Sequence, residues 1–137
     1  MADTLEKVVE DIKESKKKME KSISEMERDV IFAYKSYRDV VEYTSSYRLG
    51  DSRYGITISD SREKGFEIEF RQFMAPISRH YKKTLDKSGK TIQESLNCPE
   101  EMTKLPYYQE LRSLYNDLSK KLGEISEKIA ADAASIG

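Results

Sequence analysis

From residue 5 to residue 47 the chain keeps one heptad pattern, and this constrains its fold more than any other feature. Steps of four and three residues pick out Leu5, Val9, Ile12, Lys16, Met19, Ile23, Met26, Val30, Ala33, Tyr37, Val40, Thr44 and Tyr47, with only Lys16 and Thr44 polar. No Pro or Gly precedes Gly50. At about 1.5 Å per residue such a helix runs to roughly 65 Å. A 3.5-residue period held that far argues for a coiled-coil or long bundle helix, because a stripe of period 3.6 drifts away from its partner. The spacing therefore predicts a helix over residues 3–48. Asp3 or Thr4 can cap it, and Glu6 stands in the reach-back position of a capping box.

A narrow seam with much wetted surface also matches the composition. Charged residues make up 36% of the 137, and apolar residues 37%. The 24 basic and 25 acidic side chains nearly cancel, to a net charge of −1. A binder of nucleic acid or anionic membrane needs a basic excess, so both partners are disfavoured. The one dense basic run, Lys16-Lys17-Lys18, has Glu14 and Glu20 beside it and reads as a solvated face. Cys98 is the single cysteine, which excludes an intrachain disulfide and a thiolate zinc site. The acidic start lacks the apolar core of a signal peptide, and nowhere do 18 apolar residues run together, so a cytoplasmic protein with no membrane partner is expected.

After Gly50 the period changes to two. Tyr54, Ile56 and Ile58 alternate with small polar residues, then Phe66, Ile68 and Phe70 alternate with Glu67, Glu69 and Arg71. These runs predict a β-hairpin over 53–73. A loop of Glu63-Lys64-Gly65 would set Ile58 opposite Phe70 and put both apolar sets on one face. Residues 76–97 fit two descriptions. Pro76, Ile77, Tyr81, Leu85, Ile92 and Leu96 suit a helix, whereas Asp86 to Lys90 could turn a second hairpin. Arg79 and Lys83 spoil the alternation of the first arm, which favours the helix. In that case the last helix runs parallel to the first; a hairpin would return it antiparallel. Cys98-Pro99-Glu100-Glu101-Met102 suggests a helical turn. A second seam through Tyr108, Leu111, Tyr115, Leu118, Leu122, Ile125, Ile129 and Ile136 predicts a C-terminal helix over 106–136.

Chemical motifs are sparse. His80 is the only histidine and has no ligand spacing around it, so it reads as a surface or packing residue. Ser88-Gly89-Lys90-Thr91 resembles the tail of a phosphate loop, but the glycine needed five residues before its Gly-Lys pair is Thr84. No Glu-x-x-His pair supports a di-metal bundle. Nine tyrosines fall mostly on the seams, where core filling explains them. The order of long helix, β insertion and second helix is similar to that of prefoldin-type chaperone subunits, a likeness of layout that implies an oligomeric, ATP-independent holdase.

The expected protein is therefore mainly α, a single domain over 1–137: an elongated coiled-coil or helical bundle with a small antiparallel β-hairpin insertion. Its expected role is that of a non-enzymatic coiled-coil assembly or adaptor protein acting by protein–protein interaction and self-association. The prefoldin-like holdase is the alternative, with a nucleic-acid module or small enzyme behind it. No catalytic, cofactor-binding or metal-ligating residues are assigned. Contact residues are Leu5, Val9 and Ile12 on the first helix, and Tyr54, Ile58, Phe66 and Phe70 on the hairpin. A homo-oligomer is expected because the first helix outruns the last and leaves seam residues without a cover.

Overall fold

Among the described residues five strands, not two, fill the middle of the chain. The computed structural model describes every residue except 1, 43, 62–64, 75–76 and 98–103. Helix α1 (Ala2–Val40) leads into strands β1 (Ser46–Gly50), β2 (Tyr54–Ser61), β3 (Gly65–Met74), β4 (Ile77–Leu85) and β5 (Thr91–Asn97), and helix α2 (Leu105–Ile136) closes the sequence. The strands form one antiparallel meander in the order β1-β2-β3-β4-β5. The expected coiled-coil or helical bundle with a small hairpin is overturned. This is an α–β–α domain, with two helices among the described residues and a full sheet between them.

Alternation builds the sheet. Tyr47, Ile58, Ile68 and Lys83 stand opposite one another across four strands, and Leu49, Ile56, Phe70 and Tyr81 form the next row. Side chains two residues apart share a face, so both rows point the same way. Ile56, Ile58, Phe66, Ile68, Phe70, Tyr81 and Leu85 are all buried there. The other face carries Thr57, Ser59, Glu67, Glu69 and Lys82, a pattern suited to a sheet wet on one side. Ile58 pairs with Ile68 rather than Phe70. The expected register is thus two residues out, which leaves the facing unchanged because the side-chain period is two. Of the expected loop Glu63-Lys64-Gly65, Gly65 instead opens β3 opposite Ser61, while residues 63–64, like the turn expected at 98–102, lie outside the described residues.

The helix expected to reach residue 48 stops at Val40. Val41 N–H closes the last helical bond onto Tyr37 O. Beyond it Val41, Thr44, Ser45 and Ser46 are poor helix formers, and Tyr47 joins β1 with its ring edge-on to Tyr37 at 5.0 Å. The helix expected over 76–97 is a hairpin instead. Its first arm loses strict alternation because Lys83 faces the core, where its Nζ lies 3.1 Å from Glu27 Oε2 of α1. No local pattern announces such a lysine. The β4–β5 turn is tied by the Asp86 carboxylate, which accepts from the N–H groups of Ser88 and Lys90. Gly89 supplies the positive φ of 90° that this turn needs.

Both helices lie on the apolar face. Tyr34 of α1 meets Phe66 edge-on at 5.9 Å, and Tyr107 of α2 meets Phe70 at 5.8 Å. They run in the same direction. Glu27 contacts Tyr107, while ten residues further along each helix Tyr37 and Asp117 both contact Tyr47. An antiparallel pair meeting at Glu27 and Tyr107 would hold Tyr37 and Asp117 roughly 30 Å apart. The hairpin was expected to return α2 antiparallel, and the meander explains why it does not. α1 crosses the strands toward β1, the meander then carries the chain back to β5, and α2 must cross toward β1 again. The likeness to prefoldin layout fails on the same point, since α2 runs parallel to α1 rather than returning along it and the sheet belongs to this chain's own core. With the bundle go the adaptor and holdase readings built on it.

Candidate functional site

Both helices overrun the sheet. Residues 4–18 of α1 are exposed throughout, and so are residues 126–136 of α2. Of the expected contact residues, Leu5 is 67% exposed, Val9 41% and Ile12 50%, with Val8 exposed beside them. Tyr54 is also exposed, at the sheet corner, where its hydroxyl accepts from Gln72 Nε2 at 3.3 Å. Ile58, Phe66 and Phe70 are enclosed in the chain's own core under the two helices. The expected set is therefore split between an outer stripe on α1, a corner ring and an interior cluster.

A group that the sequence does not suggest lies under the helices. Glu27 is 1% exposed, and its Oε2 accepts from Tyr107 Oη at 2.6 Å as well as from Lys83 Nζ. Lys83 also sits over the Tyr107 ring, 5.6 Å from its centre. Burial, and then the Glu27 charge, push the Tyr107 phenol well above its usual range, so it remains a donor. The three residues join α1, β4 and α2 at one point. Glu27 flanks the heptad seam and looks solvent-facing in sequence. The one available signal is Lys83 in a core-facing strand position, which demands an acid from elsewhere.

On the open face Glu69 joins two neighbours. Its Oε2 lies 2.9 Å from His80 Nε2, and its Oε1 accepts from Arg71 Nη1 at 2.7 Å. Partial burial pulls the Glu69 carboxyl upward, but the bonds from His80 and Arg71 outweigh it and hold the group below the usual carboxylate range. Arg71 further donates to Asp51 O and Thr57 Oγ1, which pins the β1–β2 turn onto β3. His80 rests its ring near Phe73, with centres 5.7 Å apart. These contacts form a cluster centred on Glu69 that links β3 to β4. Ser88, Gly89 and Lys90 lie in the hairpin turn, leading into Thr91 at the start of β5. Among the described residues no group of three or more His, Cys, Asp or Glu could hold a metal ion. Nor is any described helix long and apolar enough to cross a membrane.

Comparison with known proteins returns no matching family model, no matching curated protein and no matching solved structure.

Proposed function

We propose that this α/β domain is non-enzymatic and works by binding, as a homo-oligomer, with the outer stretch of α1 as one contact surface. The observation that carries this is the exposed stripe of Leu5, Val9 and Ile12 on a stretch with no sheet beneath it. Amphipathic helices draw most of their stability from the packing of their apolar face, and isolated helices shorter than about 12–15 residues are marginal in water. Covering each of these side chains is worth about 1.5–3 kcal/mol. Val8 widens the stripe and Lys16 interrupts it, as a polar residue does where it fixes register between helices. The two clusters of ionisable groups described above are engaged in holding the fold. Glu27, Lys83 and Tyr107 are closed inside, while Glu69 bonds to both Arg71 and His80.

The test is sedimentation of the full chain beside a Val9→Glu, Ile12→Glu double variant. Both positions are exposed, so the fold should persist. The intact chain is expected to be larger than a monomer, and the variant smaller than the intact chain. A 15.9 kDa particle for the intact chain at micromolar concentration would refute the proposal.

A further inference from the structure

The sheet has two edges, and they differ. β5 carries Glu94 on the helix side, opposite Lys83 and 3.1 Å from Lys104 Nζ. A charge turned inward on an edge strand is a device that blocks further pairing. β1 has no such device. Its backbone polarity can be assigned from its neighbours: Asp60 N–H donates to Ser45 O, and Asp51 N–H donates to Tyr54 O. Hydrogen-bonded pairs alternate along an antiparallel ladder, so Tyr47 and Leu49 bond toward β2. Ser46, Arg48 and Gly50 therefore present their N–H and C=O groups outward. α2 passes over this same edge, since Tyr47 Oη donates to Asp117 Oδ2, and residues 119–136 continue for roughly 27 Å past it. Half-buried Leu122 and Ile125, then exposed Ile129, lie along that overhang.

We propose that a second copy of this chain pairs antiparallel with β1, joining the two five-stranded sheets into one and carrying each α2 overhang onto the other copy. The proposal rests on the homo-oligomer reading above and adds a second, separate surface to it. A two-fold axis near Leu49 sets Arg48 against the partner's Gly50, which keeps the two Arg48 side chains from standing opposite each other. It also separates the two α2 crossing points by roughly 13 Å, enough for the helices to pass side by side. In that antiparallel passage Leu122 and Ile129 face the partner's Tyr115 and Tyr108. On their own copy both rings are only partly covered, packed at the margin of the core. One partner thus satisfies two unmet needs, an open ladder and a partly covered apolar overhang.

The experiment uses the full chain. Arg48→Pro removes an outward N–H and no bond to β2, and Pro is tolerated on edge strands. Ile129→Glu charges the overhang at a position 56% exposed. Sedimentation of each is compared with the intact chain and with the Val9→Glu, Ile12→Glu variant, alongside amide exchange at Arg48 over a concentration series. Each of the two changes is expected to weaken association about tenfold or more, because the two-fold axis makes every loss count twice. In the intact chain the Arg48 amide should become protected as concentration rises. Association untouched by either change, with the Arg48 amide exchanging freely at all concentrations, would overturn the β1 contact and leave the homo-oligomer reading standing. An intact chain that is monomeric throughout would overturn both. Should Arg48→Pro fail to fold, Ile129→Glu and the intact-chain exchange decide.

Discussion

Lys83→Met is the most informative change to make to this protein. At 3.1 Å and an effective dielectric constant of about 20, the Glu27–Lys83 attraction is about 5 kcal/mol. Enclosing each ion costs several kcal/mol, so the intact pair sits near break-even. Methionine keeps the length of the lysine stem while removing the charge. Glu27 is then left enclosed with one bond, from Tyr107, and its Oε1 already has no hydrogen-bond partner among the described residues. Loss of one member of a buried pair costs about 3–5 kcal/mol, a large share of a small domain's stability. A Glu27→Leu, Lys83→Met, Tyr107→Phe triple change removes every orphaned group at once and should lie within about 1–2 kcal/mol of the parent. Urea denaturation at fixed protein concentration measures both, with the slope checking that the unfolded state is unchanged. A Lys83→Met loss below about 1 kcal/mol, or a triple variant worse than the single, would refute this account of the buried cluster.

Two further outcomes follow from the same geometry. Burial first, and the Asp60 charge after it, push the Tyr34 phenol up to about 12 from its ordinary 10.0. Between those values the folded chain holds a proton that the unfolded chain has lost. Its contribution is therefore complete below pH 10 and is lost as pH rises through about 12. Tyr34→Phe should flatten that alkaline fall in stability, and an unchanged slope would remove Tyr34 from the explanation. At Gly89 an added Cβ meets Arg28 Cγ at 2.6 Å and inherits a φ of +90°. Gly89→Ala should cost about 1–2 kcal/mol, chiefly from the backbone since the exposed arginine can move away. A thermal melt showing full rescue by a second Arg28→Ala change would place the cost in the side-chain clash instead.

Legibility varied with how local the cause was. The alternation of Ile56, Ile58, Phe66, Ile68 and Phe70 could be read directly, because each strand residue reports its own facing. So could the start of α2, where Pro106 falls among the first helical positions and its missing N–H has no intrahelical partner to lose. The β4–β5 hairpin could not. Of the two residues that break its alternation, Arg79 and Lys83, the second is explained by an acid more than fifty residues away in sequence. Tyr47 fitted a helical seam by count, yet it serves the core from β1, since a tyrosine in phase with a heptad carries no mark of which period governs it. The α2 seam was half right: Leu111 and Leu118 are buried as spaced, but Leu114 replaces Tyr115 on the inner line because the sheet and α1 together cover a wider arc than one partner helix would. The buried cluster left only Lys83 as a signal, because its three members come from three separate elements.

That α1 and α2 point the same way has a consequence for joining the ends of the chain. The first residues of α1 and the last of α2 leave the sheet from opposite sides, and the two tips lie roughly 80 Å apart if both helices stay straight. A peptide closing that gap needs at least about 23 fully extended residues, and considerably more if it is to remain slack. Circular permutation by a short joint, which most domains permit because their termini are neighbours, is therefore closed to this one. Two probes fixed to the ends would each report on a different pole of the molecule.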